Sequence, residues 1–351
     1  MTTVLIIGAG SIGNHLAYAC RKKNWNIDIV DIDEEALIRM ENEIYPSRYG
    51  VWDNSISLHS SIPQKKKWDI VIVGTPPDTH TKIALEVLEK SPPKVLLIEK
   101  PLTTPTMPDQ NKLTDLIDKS GTKCLVGFNH NVTENTKFIE ELITEGIVGN
   151  PSSINVNWLE DWSGIFKAHP WLSGPSDSYL GFQHLGGGAC CEHSHAIALW
   201  LYLAKLLDAG SIVELNGAMK LVNYEGCDYD EETTITLTTS RGIKGIIKQD
   251  VKTMPAQKMA RIDGDKGYIE WYANYSEGQD VVKWSIANGE EKMKIFPKSR
   301  PDDFKNEIDL IEELILNDNI STPLDYELGL EAAILTNKAV ESNKLMKAIK
   351  L

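Results

Sequence analysis

The stretch Val4-Leu5-Ile6-Ile7-Gly8-Ala9-Gly10-Ser11-Ile12-Gly13 decides the fold. Four consecutive apolar residues leave no wet face, so they predict a strand covered on both sides, as in a parallel sheet wrapped by helices. The glycines fall as Gly-x-Gly-x-x-Gly between that strand and a helix expected over 11–23. In that context Gly8 permits a tight turn, Gly10 lets the backbone approach a pyrophosphate, and Gly13 lets helix and strand pack closely. Ser11 and Ile12 open the helix, whose free N–H groups attract an anion. Asp31 follows at the end of a second apolar run that starts at Ile27. A carboxylate there accepts both ribose hydroxyls of NAD and repels the 2′-phosphate of NADP, so NAD is the expected cofactor.

Outward from this unit, Ile70-Val71-Ile72-Val73, the run Val95 to Glu99 and Cys124-Leu125-Val126-Gly127 add strands to the parallel sheet. The first domain is expected over 1–127. Beyond it the pattern alternates, from Ser153 to Trp158, Thr233 to Thr239, Gly245 to Val251 and Gly267 to Tyr272. Alternation predicts a mostly antiparallel sheet with one wet face. Helices are expected over 133–145, 189–207, 303–317 and 326–345. The fold class is therefore α/β, an N-terminal Rossmann parallel sheet plus a C-terminal α+β domain over 128–351 with a large, mostly antiparallel open sheet. The terminal helix 326–345 is expected to pack back on the first domain, and the Pro-rich 101–108 is the nearest thing to a connection between domains.

Composition agrees with two globular domains: 351 residues, 42% apolar and 25% charged. A formal net charge of −14 argues against nucleic acid or an anionic membrane as the main partner. No run approaches about eighteen apolar residues and the start lacks a signal peptide's basic flank, so the cytoplasm is the default expectation. Cys20, Cys124, Cys190, Cys191 and Cys227 show no C-x-x-C spacing, which predicts reduced, packed thiols over a disulfide framework, and no metal site is expected. A redox role for the vicinal Cys190-Cys191 is the less favoured reading.

The segments Thr75-Pro76-Pro77-Asp78-Thr79-His80, Leu97-Ile98-Glu99-Lys100-Pro101-Leu102 and Gly127-Phe128-Asn129-His130 come in this order. They are followed by Glu145 to Pro151, the run Gly186-Gly187-Gly188, and Ile262 to Ile269. This ordered set resembles the glucose-fructose oxidoreductase and inositol dehydrogenase (Gfo/Idh/MocA) family over nearly the whole chain. The resemblance implies a Rossmann domain followed by an α/β domain whose open sheet supports a homo-oligomer, dimer or tetramer. It also implies a sugar, inositol or related polyol bound between the two. Gly8, Gly10, Ser11, Ile12, Gly13, Asp31, Thr75, Pro76, His80, Glu99 and Lys100 would touch the cofactor.

The family's E-K-P lysine maps onto Lys100, beside the reacting hydroxyl. Many members carry an aspartate and, four residues on, a histidine in the helix after the glycine run. Here the helix opens Ala189-Cys190-Cys191-Glu192-His193-Ser194-His195, so the roles fall to Glu192 and, three residues on, His195. Within one helix those two share a face and His193 lies about 100° away. His184, and less so His169, are looser candidates for touching substrate. Glu192, His193 and His195 cannot all face one ion.

Oxidising a secondary alcohol removes a hydride from carbon and a proton from oxygen. Ionising a sugar hydroxyl beforehand would add roughly 10 kcal/mol, at about 1.4 kcal/mol per pKa unit, so a positioned base is required. His195 would take the proton with Glu192 orienting it, and Lys100 would stabilise alkoxide character or itself serve as base. Six aromatics between 158 and 182, Trp158, Trp162, Phe166, Trp171, Tyr179 and Phe182, predict a loop that lays rings against a ligand. Trp162 and Trp171 are the expected substrate contacts, with Glu160, Asp161 and Asp177 accepting hydroxyl protons. Lys167 is the only Lys or Arg from 158 to 185, which favours an uncharged or amino sugar or inositol over a nucleotide sugar. The alternatives are a nucleotide-sugar oxidoreductase, an NAD-retaining glycosidase, and a non-catalytic dinucleotide-dependent regulator.

Overall fold

The computed structural model describes residues 1–351 except 65, 225, 288, 318 and 319. The chain divides into two compact units. The first comprises Met1–Thr103, Met107–Asn129 and Pro301–Tyr326, the second Thr104–Thr106, His130–Arg300 and Glu327–Leu351.

In the first unit, β1 (Thr3–Ile7), β2 (Asn26–Val30), β3 (Ile56–His59), β4 (Ile70–Val73), β5 (Val95–Ile98) and β6 (Lys123–Val126) form one sheet. Their order is β3-β2-β1-β4-β5-β6 and every pairing is parallel. All four residues of β4 and of β5 are buried, which is why those runs carry no polar residue. The order reverses between β1 and β4, the switch point where open α/β sheets hold ligands at their strand ends. Edge strand β3 was not anticipated, because Ile56-Ser57-Leu58-His59 is too short and polar to give a periodic signal.

The helix Arg300–Leu316 belongs mostly to this unit, although its sequence position suggests the second domain. Its contacts explain the placement. Phe304 stacks on His15 with ring centroids 4.6 Å apart, and Lys23 pairs with Asp309 at 2.7 Å and Glu312 at 2.6 Å. Pairings across nearly the whole chain leave no local pattern.

The second unit holds β7 (Pro151–Leu159), β8 (Ile212–Tyr224), β9 (Cys227–Thr239), β10 (Lys244–Asp250), β11 (Gln257–Gly264), β12 (Gly267–Ser276), β13 (Gln279–Ile286), β14 (Lys292–Pro297) and β15 (Ile349–Lys350). They form a nine-stranded sheet of order β14-β13-β12-β11-β7-β10-β9-β8-β15, in which only β7 and β10 pair in parallel. Along β7, Ile154, Val156 and Trp158 are buried while their neighbours are half-buried. The helix His195–Leu206 covers that inner face, with the Trp200 indole N–H donating to the Ile154 carbonyl at 2.9 Å.

The terminal helix Tyr326–Leu345 falls almost wholly in this second unit. A β-carbon at Gly217 on β8 would stand 2.4 Å from the Ala339 carbonyl oxygen, so only glycine admits the helix this close. The Ser342 hydroxyl oxygen accepts the Gly217 N–H at 3.0 Å, and Asn343 Oδ1 accepts that of Met219 at 2.9 Å.

Glu307 is a costly residue in the first unit, wholly buried with no donor among the described residues reaching either carboxyl oxygen. Burial, with Glu99 and Asp303 beside it, pushes its carboxyl well above the ordinary range. The folded protein therefore keeps a proton that the unfolded chain releases, and stability falls as pH rises from the ordinary glutamate value through the raised one. Glu307→Gln keeps the shape and removes the ionisation. The variant's melting temperature should gain on that of the parent between about pH 5 and about pH 8; an equal difference at both would show that Glu307 does not hold a proton.

Candidate functional site

The cofactor half is built at the β1–β4 junction of the first unit. Gly8 has φ +115°, and a β-carbon there would stand 2.5 Å from the Gly74 carbonyl oxygen; one on Gly13 would stand 2.1 Å from the Gly8 oxygen. At Gly10 a β-carbon would meet nothing within 4 Å. Two glycines thus serve the protein's own packing, and the third faces open space beside the start of the helix Ser11–Lys22. That helix has no side-chain cap, so its leading N–H groups are available to an anion. The loop suits the diphosphate of a dinucleotide.

Asp31 just beyond β2 secures the loop. Its Oδ2 accepts the Ala9 N–H at 2.8 Å and its Oδ1 the Asp33 N–H at 2.9 Å. Asp33 caps the helix Glu34–Arg39 and pairs with Arg39 at 3.1 Å, a structural task that differs from that of Asp31. Ile32 between them is 93% exposed, an apolar side chain offered to solvent at the expected adenosine end.

Past β4 and β5 come the other residues expected at the cofactor. Thr75 is half-buried, Pro76 exposed, and Lys100 half-buried just beyond β5. The Glu99 carboxylate accepts the Lys100 N–H at 3.2 Å and lies so close to Gly127 that a β-carbon there would approach it to 2.9 Å. His80 is fully buried, with Nε2 2.7 Å from the Thr75 carbonyl and Nδ1 2.9 Å from that of Pro101. Burial lowers its pKa. His80 therefore braces the loops carrying Thr75 and Lys100 from below, with both ring nitrogens turned to backbone.

The second unit carries the other expected residues. The helix expected over 189–207 is in fact two, Gly188–Glu192 and His195–Leu206. Glu192 ends the first and His195 begins the second, so the argument from one continuous helix face does not hold. Glu192 Oε2 accepts the Tyr179 hydroxyl proton at 2.9 Å. The His195 ring, half-buried, stacks on Trp158 at 5.4 Å and meets His130 edge-on at 4.9 Å. His193 is 4% exposed. The helix break separates an accessible histidine from an enclosed one.

His130, Trp158 and Tyr179 support the expected pair, a task the sequence did not show: Trp158 and Tyr179 were read as ligand-facing rings and His130 only as part of the Gly127–His130 segment. His130 is buried between Trp158 and His195, and burial, reinforced by the charges of Lys298, His195, Lys258 and Arg300, holds its pKa well below the usual range. It is a neutral neighbour of His195. Only contacts across the sheet reveal such a group.

The aromatic segment departs from expectation. Trp158 and Trp162 are 1% and 5% exposed; Trp162 forms a core with Leu180, Ala189 and Val251, against which Phe166, Tyr179 and Tyr229 pack. The rings seal a loop onto the sheet and the helix start, and Trp162 is not available to a ligand. Trp171 is 40% exposed and His184 is exposed, so both remain accessible. The acids are also occupied: Glu160 pairs with Lys258 at 2.7 Å, Asp161 accepts the Ser163 N–H at 2.7 Å and Asp177 that of Ser173 at 2.8 Å. His169 turns Nδ1 to the Ile165 carbonyl at 2.7 Å. All five cysteines are buried, and burial next to Asp230 raises the Cys190 pKa strongly. Among the described residues no three His, Cys, Asp or Glu side chains gather to hold a metal, and no helix is long and apolar enough to cross a membrane.

Comparison with known proteins bears out the resemblance over the first domain. Residues 2–128 match the oxidoreductase family, NAD-binding Rossmann fold (GFO_IDH_MocA). The Bacillus subtilis protein YteT, named as an oxidoreductase, is 34% identical over 117 residues, 33% of this chain and 27% of that protein. The levoglucosan dehydrogenase of Pseudarthrobacter phenanthrenivorans is 29% identical over 259 residues, 74% of this chain and 62% of that one. The chain thus spans less than two thirds of either curated relative. A levoglucosan dehydrogenase solved with NADH and levoglucosan has the same fold, with TM-score 0.78 and 17% identity over 100% of this chain and 99% of that one.

Asp31→Ala removes a charge-assisted contact to the glycine loop as well as the expected ribose acceptor. NAD affinity should fall roughly tenfold to a hundredfold, read by titration calorimetry. Unchanged affinity would contradict the assignment.

Proposed function

We propose that this chain, whose residues 2–128 are those of an NAD-binding oxidoreductase domain, is a dehydrogenase of polyols. It moves a hydride between NAD and a secondary hydroxyl or keto group of a sugar, inositol or related polyol. The observation that carries the reading is the place of Lys100 just past β5, its backbone N–H bonded to the Glu99 carboxylate, in the same sheet whose β1 turn is shaped for a dinucleotide. A strand-end lysine beside such a turn is where this architecture puts its chemistry. The polyol class is supported by the kinship with levoglucosan dehydrogenase.

Bound at the glycine loop, NAD supplies the hydride acceptor. The chain's own residues deal with the proton. Lys100 donates a hydrogen bond to the reacting oxygen and stabilises the negative charge that grows there as the C–H bond breaks. His195 takes the hydroxyl proton, and the flat face of Trp158 keeps the ring in one plane. Glu192, steadied by the Tyr179 hydroxyl, favours the imidazolium that results. In the reverse direction His195 returns the proton to the oxygen.

An uncharged substrate fits the charges around His130. Lys258 is already paired with Glu160, and Lys298 with Asp280 at 3.1 Å, so neither presents an uncompensated cation to a diphosphate. Free sugars and inositols should therefore be oxidised in preference to nucleoside-diphosphate sugars. Turnover confined to the latter would overturn the substrate class. A preparation that keeps its NAD and releases no NADH would point to a glycosidase.

Two sets of variants test the roles. Lys100→Met should cost at least about a hundredfold in kcat while NAD still binds, because the diphosphate is held elsewhere; activity within about threefold of the parent would make Lys100 a bystander. His195→Ala should reduce turnover far more than His193→Ala, since only the His195 ring is accessible. Equal losses would remove His195 from the reaction.

A further inference from the structure

The break between the helices carrying Glu192 and His195 has an identifiable cause in the sheet beneath it. Gln249 on β10 is 1% exposed, and its Nε2 donates to the carbonyls of His193 at 2.8 Å, Cys190 at 3.1 Å and Ala189 at 3.3 Å. Three carbonyls around one atom identify it as the amide nitrogen, since all three would repel the oxygen. In a continuous helix the Cys190 carbonyl would accept from the Ser194 N–H. Here that N–H bonds to Cys191 at 3.1 Å and the Ala196 N–H to His193 at 2.9 Å, the tighter three-residue pattern.

A second sheet residue grips the same peptides. Asp230 on β9, wholly buried, accepts the Cys190 N–H at 2.8 Å and is held by Thr233 Oγ1 at 2.6 Å and Gln183 Nε2 at 2.9 Å. At Gly188, φ +82°, a β-carbon would stand 2.3 Å from Asp230 Oδ1, so glycine is required for the helix start to sit this close. Residue 190 thus has its N–H bound by β9 and its carbonyl bound by β10.

We propose that Gln249 is the positioning residue of the Glu192 and His195 pair. By drawing the carbonyls of 189, 190 and 193 to one buried amide it ends one helix at Glu192, starts the next at His195, and fixes the angle between the two side chains. The proposal rests on the reading of His195 as the proton acceptor. The position needs a donor with two N–H groups. Leucine has none, and glutamate has one when protonated and none when ionised. Of the residues whose carbonyls Gln249 binds, Cys190 and His193 are titratable, and Asp230 on β9 binds the Cys190 N–H.

The test compares Gln249→Leu and Gln249→Glu in the full chain. Gln249→Leu should lower kcat by about a hundredfold and leave the NAD dissociation constant within about twofold, as expected of a misplaced reacting group. Its crystal structure should show Ser194 N–H bonded to the Cys190 carbonyl and one helix from 188 to 206. For Gln249→Glu the ratio of its kcat to that of the parent should fall as pH rises through the introduced carboxyl's titration, which a purely stabilising side chain would not produce. A pH-independent ratio, or a helix break that persists in Gln249→Leu, would overturn the proposal. The crystal structure requires no turnover, so a parent chain inactive on every polyol would refute the proposed function while still testing Gln249.

Discussion

The Gly8 carbonyl oxygen lies 2.1 Å from the place where a β-carbon on residue 13 would stand, and a β-carbon on Gly8 itself would stand 2.5 Å from the carbonyl oxygen of Gly74, just past β4. This contact is the constraint on which the first unit depends. It fixes the turn from β1 into its helix, brings the helix start to the sheet's switch point, and leaves Gly10 facing open space. The same sheet then delivers Thr75 and Lys100 at neighbouring strand ends. His80, buried and turned to the carbonyls of both Thr75 and Pro101, couples the two loops. Packing and ligand binding therefore make different demands within one motif: Gly8 and Gly13 serve the fold, and Gly10, with open space before it, is left for the proposed cofactor contact.

The second unit solves a different problem, how to hold the proposed proton acceptor rigidly and still accessible. His195 stands at the start of its helix, stacked on Trp158 and edge-on to His130, and Gln249 and Asp230 anchor the peptides that lead to it. The aromatic segment 158–182, dense enough to suggest a ligand surface, is spent mostly on sealing this support, with Trp162 at its centre. A buried amide and a buried carboxyl under the helix start are expensive unless satisfied. Here the Gln249 nitrogen and the Asp230 carboxylate each make three contacts to the chain, which gives the helix break a definite geometry, while Gln249 Oε1 is buried with no partner among the described residues.

Legibility in sequence followed the range of the interactions. The parallel sheet was readable because Val4 to Ile7 and Ile70 to Val73 announce burial on both faces, and the glycine spacing announces the turn. The alternating runs of β7, β9 and β10 were readable because alternation announces one buried and one wet face. The short edge strand β3 and the strands β13 to β15 were not, since they offer few periodic positions. The helix Arg300–Leu316 was read at nearly the right residues but attached to the wrong unit, because its anchors, His15 and Lys23, lie at the other end of the chain. The helix break at His193 was invisible because Ala189 to Leu206 is locally a good helix; what interrupts it is a glutamine on another strand.

Transfer of an isotopic label is the most direct test of the central claim. A polyol deuterated at its carbinol carbon, incubated with the protein and NAD, should yield NADH carrying that deuterium in a one-to-one ratio with the keto product. Reduction of NAD without the label, or oxidised product without labelled NADH, would contradict the account.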